Sequence, residues 1–328
     1  MKYQLLGEVK DKSVIEMICD VCKSRTATIY QLHSGRKLCR KCFLEDIVNR
    51  VKKEIKRYGM IDKGDKVLLA LSGGKDSFTL LDILTQIHDP SRLIGLSIIE
   101  GIEGYNRQEH ITRIKFYARE RGVDLIVTSF KEEIGAELDQ LVKRARERSL
   151  NVSPCTFCGT IRRRIMNIYA RKLKVDKLAT AHNLDDEAQT ALINILRGDL
   201  MRLSTQHPRS PILHKGIVRK IKPLRKVYEW ETTYYAYLKG FSFQETECKY
   251  IIQHPTLRAR SRLYLRELEE RSPGSLMRFL EAIDSVTEEL IKETKTLPHL
   301  PSCSKCGEPT SYNRNICKVC ELLEAIGF

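Results

Sequence analysis

Five Cys-x-x-Cys pairs punctuate this 328-residue chain, and they are not equivalent. Cys19-x-x-Cys22 is followed after sixteen residues by Cys39-x-x-Cys42, and Cys303-x-x-Cys306 after ten residues by Cys317-x-x-Cys320. Each pair of pairs places four thiols on two tight knuckles, the donor set of a closed tetrahedral zinc site with no position left for a reactant. Two Zn²⁺ per chain are expected, structural in role, because short segments without a core need a staple. His33 lies inside the first loop and could substitute for a ligand, although four thiolates already suffice. The fifth pair, Cys155 and Cys158, has no second pair nearby, and the cysteine left over is Cys248. Three thiols from distant positions allow two chemistries. One is a [4Fe–4S] cluster held at three irons, with the fourth open. The other is a relay in which Cys155 or Cys158 carries a persulfide that Cys248 resolves.

A second chemical feature follows the apolar run Lys66–Leu71, which reads Ser72-Gly73-Gly74-Lys75-Asp76-Ser77 and leads into a helical pattern. Glycines permit a tight turn and close backbone approach, and a new helix offers unpaired N–H groups and the positive end of its dipole. That combination is an anion cradle. Its spacing is neither that of a Walker A loop nor that of the dinucleotide fingerprint.

These residues need a scaffold that brings distant segments together. Short apolar runs at 66–71, 93–99, 124–130 and 177–181 read as buried parallel strands. Helical patterns separate them at about 76–88, 107–121, 132–149, 158–173 and 185–197. Strands alternating with helices predict an α/β fold, a doubly wound parallel sheet, with binding loops at the carboxyl ends of its strands. Zinc ribbons flank it at both ends. The alternation stops after Arg197, where Pro208, Pro211 and Pro223 break up a stretch that reads as irregular; helices resume at about 228–239, 258–270 and 275–294. The division expected is an N-terminal ribbon at 1–50, an α/β domain carrying the anion loop at 51–200, a basic and helical region at 201–297 that contains Cys248, and a C-terminal ribbon at 298–328.

Composition sets the partners. The chain is 42% hydrophobic and 30% charged, with a formal net charge of +15. Residues 197–226 carry nine Lys or Arg (Arg197, Arg202, Arg209, Lys215, Arg219, Lys220, Lys222, Arg225, Lys226) against Asp199 alone. Such a surplus favours a polyanionic partner, nucleic acid first. No run is long enough to span a membrane and the N-terminus lacks a signal-type apolar core, so a cytoplasmic protein is expected. Eleven cysteines in a reducing compartment point to metals rather than disulfides.

The hexad Ser72–Ser77 resembles the loop of the N-type ATP pyrophosphatase (PP-loop) superfamily, whose members cleave ATP between its α and β phosphates and adenylate an oxygen that a nucleophile then displaces. The resemblance tightens at Cys155-Thr-Phe-Cys158-Gly-x-x-Arg-Arg, His182-Asn-Leu-Asp185-Asp186, Leu196-Arg-Gly-Asp-Leu-Met-Arg-Leu203, Thr246-Glu-Cys248 and Cys317-Lys-Val-Cys320. These segments are similar to the tRNA 2-thiolation proteins (subunit 1) of the archaeal and eukaryotic cytosol, relatives of the thermophile 2-thiouridine synthetases. The resemblance covers essentially the whole chain. It implies that Ser72, Gly73, Gly74, Lys75 and Ser77 contact pyrophosphate, with Asp76 holding Mg²⁺ or orienting the phosphates of ATP. It implies that Ala70, Ile98, Arg162 and Ala181 line the nucleotide pocket, that Asp186 lies near the reacting base, and that Cys155, Cys158 and Cys248 ligate the cluster. Arg162, Arg163 and Arg164 would serve phosphates of ATP or tRNA.

The implied reaction is ATP-dependent formation of 2-thiouridine in tRNA, the sulfur coming from sulfide or from the thiocarboxylate of a ubiquitin-like carrier protein, in a possible homodimer. Some relatives that modify the T-loop carry Lys in place of Arg162 and close their first ribbon with His in place of Cys42. This chain therefore resembles the branch that modifies uridine 34 of the anticodon, with uridine 54 as the alternative. A PP-loop amide or amine ligase is the rival enzyme class, and it has no use for the three extra cysteines.

Overall fold

The computed structural model describes residues 17–105, 108–243, 246–253, 257–294 and 299–328. Outside the described residues lie the N-terminal segment read for a signal sequence, Arg107 of the expected 107–121 helix, and Glu245 beside the Cys248 motif. In chain order the elements are β1 (Ile29–Gln31), β2 (Arg36–Leu38), α1 (Arg40–Tyr58), β3 (Val67–Ala70), α2 (Lys75–Ile87), β4 (Leu93–Ile99), α3 (Gln108–Glu120), β5 (Asp124–Ser129), α4 (Phe130–Ile134) and α5 (Leu138–Glu147). Then come α6 (Pro154–Lys172), β6 (Lys177–Ala179), α7 (Leu184–Leu196), α8 (Leu200–Ser204), β7 (Arg219–Ile221), α9 (Glu229–Leu238), α10 (Lys249–Gln253), α11 (Leu257–Arg271), α12 (Ser275–Thr294) and α13 (Lys318–Ala325).

β1 and β2 form the hairpin of the first ribbon, while β3 to β7 make one parallel sheet in the order β5-β4-β3-β6-β7. The chain builds outward from β3 through β4 to β5, then returns to lay β6 on the other side of β3. That reversal opens a crevice at the carboxyl ends of β3 and β6, where doubly wound sheets bind ligands. The pleat sends alternate residues of β3 to opposite faces. Val67 and Leu69 join a core with Phe78, Leu81, Ile111, Ile114 and Tyr235 on one face. Leu68 packs with Leu96, Met166, Ala170 and Leu178 on the other. A third core joins Phe157, Ile161 and Ile165 of α6 to Leu138 and Leu141 of α5 and to Cys303, Cys317, Val319 and Leu322. The C-terminal ribbon is thus seated on the helix that carries Cys155 and Cys158.

Two expectations are corrected. The stretch after Arg197 is not wholly irregular, because Arg219–Ile221 pairs with β6 as the fifth strand. Its alternation of cations with one apolar residue hides it: as an edge strand it buries a single face, and Ile221 alone points into the core. The helix expected over 132–149 is two helices, α4 ending at Gly135 in the left-handed conformation (φ 79°) and α5 starting at Leu138.

Candidate active site and metal centres

The loop after β3 is shaped by its glycines and its serine. Gly73 has φ 82°, where a side chain is strained, and a Cβ there would also push on Ile114 Cδ1 at 2.9 Å. Ser77 Oγ accepts from Gly73 N–H at 3.1 Å and donates to the Gly74 carbonyl at 2.8 Å, locking the turn. Gly74 caps α2 without a side-chain hydrogen bond, which leaves the first N–H groups of the helix open to an anion.

One cavity at the mouth of the crevice is lined by Ala70, Ser72, Gly74, Asp76, Ser77, Ile98, Arg162, Ala181 and Asp186. Residues from four separated segments, named from sequence for the nucleotide and the base, thus share a wall. Lys75 is not among its lining residues; its ammonium lies on Asp76 Oδ2 at 2.9 Å and Glu229 Oε1 at 3.3 Å. Asp76 Oδ1 accepts from Asn183 Nδ2 at 3.3 Å and from Thr232 Oγ1. Donors thus converge on the carboxylate from α2, α9 and the loop after β6. Asp186 closes the α7 capping box with Asn183 (3.0 and 3.3 Å) and meets Arg258 at 3.4 Å. Burial, and then the charge of Asp76, push its pKa up to about 6.

The cysteine pair lies next door on α6, whose start is set by Ser153 as N-cap and Pro154 in the first turn. Arg162, one turn after Cys158 on the same helix, draws that thiol's pKa down and reaches Glu100 at 3.5 Å while lining the nucleotide cavity. Burial pushes Cys158 up to about 11, against the pull of Arg162. Burial and then Cys248 raise Cys155 as well. Cys248 comes close because α10, which it immediately precedes, packs on α6. Tyr105 stands among these groups, pushed up to about 12 by burial and then by Glu100, with Cys248 and Cys158 also acting on it. Among the described residues the ligand sets within 4.8 Å of one another are the two four-cysteine groups, and this trio is not one of them. Cys155 and Cys158 each feel the charge of Cys248, yet the three stand too far apart for one ion, which fits a polynuclear cluster better than a mononuclear metal. Cys155 is exposed, so the trio faces an opening.

The ribbons pass a stricter test. The sulfurs of Cys19, Cys22, Cys39 and Cys42 all lie within 4.8 Å of one another, as do those of Cys303, Cys306, Cys317 and Cys320. Cys22 and Cys39 are 4.0 Å apart and Cys306 and Cys317 are 3.7 Å apart; a zinc tetrahedron with 2.3 Å bonds has sulfur–sulfur edges of about 3.8 Å. His33 is no ligand. It packs on the Tyr228 ring at 4.7 Å between centroids and lies 3.9 Å from Glu231.

The basic stretch needs a correction. Arg225 is 1% exposed, paired with Glu54 at 2.8 Å and with Asp284. Lys222 pairs with buried Glu187 at 2.7 Å, Lys226 with Glu281 at 3.3 Å, and Arg219 donates to the Ser210 carbonyl at 2.9 Å. Much of the charge that reads as an RNA footprint serves the fold.

Several site residues were missed or left without a role: Glu100, Tyr105, His182, Asn183, Glu229 and Thr232. Asn183 had a signal, the Asn-x-x-Asp spacing of a helix cap. His182 stood in a quoted motif; its Nδ1 lies 2.8 Å from Thr180 Oγ1, and burial followed by Lys220 and Lys222 holds its pKa well below the usual value. Glu229 and Thr232 carry no local signal, because only the packing of α9 on α2 brings them to the loop.

A model of the PP-loop domain matches residues 44–264, and one described as 2-thiouridine synthetase TtuA, N-terminal LIM domain, matches residues 18–44. Cytoplasmic tRNA 2-thiolation protein 1 of Danio rerio is 32% identical over 313 residues, 94% of this chain and 88% of that protein. A probable sulfurtransferase of Methanocaldococcus jannaschii is 35% identical over 311 residues, 94% of this chain and 87% of its own. Among solved structures, the U34-tRNA thiolase NcsA from Methanococcus maripaludis with its [4Fe-4S] cluster superposes with a TM-score of 0.76 at 31% identity, covering 96% of this chain and 98% of that one.

Proposed function

The chain belongs to the PP-loop family of tRNA 2-thiolation proteins, and from that membership we propose that it is a cytoplasmic, ATP-dependent tRNA sulfurtransferase that converts uridine 34 to 2-thiouridine. The observation that supports this reading most directly is Arg162, which stands one helical turn from Cys158, draws that thiol's pKa down and lines the cavity of the phosphate loop. Activation by ATP and delivery of sulfur therefore share one wall.

In this reading Ser72, Gly73, Gly74 and Ser77 hold the ATP phosphates with backbone and hydroxyl donors, and Lys75 turns from its carboxylate partners toward them. Ala70, Ile98 and Ala181 flank the adenine. Asp76 would hold Mg²⁺, which neutralises the departing pyrophosphate. The uridine C2 oxygen bonds to the α-phosphorus as the bond to the bridging oxygen breaks, and pyrophosphate leaves. Sulfur then bonds to C2, the C2–O bond breaks, and AMP carries the oxygen away. Asp186 orients the base beside Arg162, and His182 presents a neutral imidazole nearby.

Cys155, Cys158 and Cys248 would hold a [4Fe–4S] cluster, which supplies an iron without a protein ligand where sulfur can be presented to the base. The sulfur originates from sulfide or from the thiocarboxylate of a ubiquitin-like carrier. The eight ribbon cysteines would hold two Zn²⁺ as structural staples.

The experiment is anaerobic single-turnover reaction of the protein with unmodified tRNA, ATP and sulfide, followed by mass spectrometry of the digested nucleosides. 2-Thiouridine at position 34 is the expected product. Product at position 54 would move the target to the T-loop, and ATP consumption with no thiolated nucleoside would point to the ligase class.

A further inference from the structure

Building on the tRNA-thiolating reading, we propose that Arg163, Arg164 and Lys220 form a seat for the tRNA phosphodiester backbone beside the target uridine, separate from the seat of the ATP phosphates. All three line a groove of about 420 Å³ between α6, the edge strand β7 and the C-terminal ribbon. Met166, only 7% exposed, lines both this groove and the nucleotide cavity, so a single side chain stands between them. A phosphate in the groove would therefore lie next to the cavity assigned to the reacting base.

Pairing separates these cations from those around them. Arg162 has Glu100, Arg171 has Glu308, Lys222 has Glu187, and Arg225 has Glu54 and Asp284. Among the described residues no carboxylate stands within ion-pair distance of Arg163, Arg164 or Lys220; the one hydrogen bond recorded for Arg163 is to Thr160 Oγ1 at 3.5 Å. The surrounding protein and then like charge, Arg162 for Arg163 and Lys222 for Lys220, push both pKa values down. Glu308 lines the same groove but is paired with Arg171, and Glu187, which also pulls on Lys220, is paired with Lys222, so an anion seated among the three cations relieves their mutual repulsion.

The ATP phosphates already have the Ser72–Ser77 loop across the cavity, so the groove is left to a second source of phosphate. A polynucleotide supplies it from the same molecule that supplies the base.

The test is fluorescence anisotropy of labelled, unmodified tRNA against the full-length protein over a range of salt, with ATP affinity measured in parallel by calorimetry. For Arg163→Gln/Lys220→Gln the expected result is tRNA binding weakened about tenfold or more, a salt slope shallower by roughly two, and unchanged ATP affinity. The charge-retaining pair Arg163→Lys/Lys220→Arg is expected to keep the wild-type slope, which separates charge from misfolding. A folded Gln variant that binds tRNA with wild-type affinity and slope overturns the proposal, as does one that loses ATP affinity in step with tRNA. Wild-type protein that binds ATP but no tRNA at any salt overturns the functional reading and this proposal together.

Discussion

Lys75 Nζ lies 3.3 Å from Glu229 Oε1, a contact that ties the phosphate loop to a helix 154 residues further along the chain. Arg262 holds the same carboxylate at 2.7 and 2.8 Å. Burial alone would push Lys75 down, but Asp76 and Glu229 outweigh it and hold its pKa above the ordinary value. Glu229→Ala leaves the ammonium to Asp76 alone and draws it toward the carboxylate proposed to hold Mg²⁺. ATP affinity is expected to fall about tenfold, or roughly 1.4 kcal/mol, with little change in melting temperature. Calorimetric titration checks this, and wild-type affinity would remove Glu229 from the site.

Asp76→Asn keeps the shape of the side chain and an acceptor for Thr232 and Asn183, but removes the charge. Single-turnover thiolation is expected to slow by about 10²–10³-fold, as for loss of a preorganised electrostatic contact, with an unchanged circular dichroism spectrum. Near-normal turnover would remove Asp76 from the mechanism.

What was legible in the sequence were the features with short-range signatures. Val67–Ala70 and Leu93–Ile99 read as apolar runs because the centre of a parallel sheet buries both faces, and Asp124–Ser129, at the edge, and Lys177–Ala179 still showed through Leu-Ile-Val and Leu-Ala. The cysteine spacings fixed both ribbons, because knuckle geometry is local. Arg219–Ile221 was invisible because an edge strand with one buried side chain reads as a loop. Lys222, Arg225 and Lys226 were misread for a related reason. Their neutralising acids, Glu187, Glu54, Asp284 and Glu281, come from helices distant in sequence, and local charge counting cannot see them.

Asp185 gives a pH test with a definite sign. Burial pushes its carboxyl from 3.8 up to about 7, against the Glu229 N–H that it accepts at 2.7 Å. Between those values the folded chain holds the proton more tightly than the unfolded chain. This group's contribution to stability is therefore full below pH 4 and is lost as pH rises toward 7. Asp185→Asn cannot ionise and keeps an acceptor. It is expected to melt above wild type at pH 8, by the equivalent of roughly 1–3 kcal/mol, with the gap closing toward pH 4. A gap that does not depend on pH would contradict the assignment.

Arg225 is expected to matter to folding rather than to RNA. Arg225→Gln leaves Glu54 and Asp284 buried, with Tyr58 as the remaining donor to Asp284 at 3.0 Å. A loss of about 3–5 kcal/mol in urea unfolding is expected. A loss below about 1 kcal/mol, with tRNA binding reduced, would return Arg225 to the RNA footprint.

The most direct measurement is metal and acid-labile sulfide analysis of anaerobically purified protein, wild type beside Cys248→Ser, with thiolation assayed on the same samples. Wild type is expected to carry about four iron and about two zinc per chain. In the variant the zinc should be unchanged, because the eight ribbon cysteines are closed sets that exclude Cys248. Iron, labile sulfide and thiolation should fall together, since a cluster held by three thiols has lost one of them. Wild-type protein that thiolates tRNA at full rate with no iron would contradict the cluster and leave a persulfide relay through Cys155, Cys158 and Cys248.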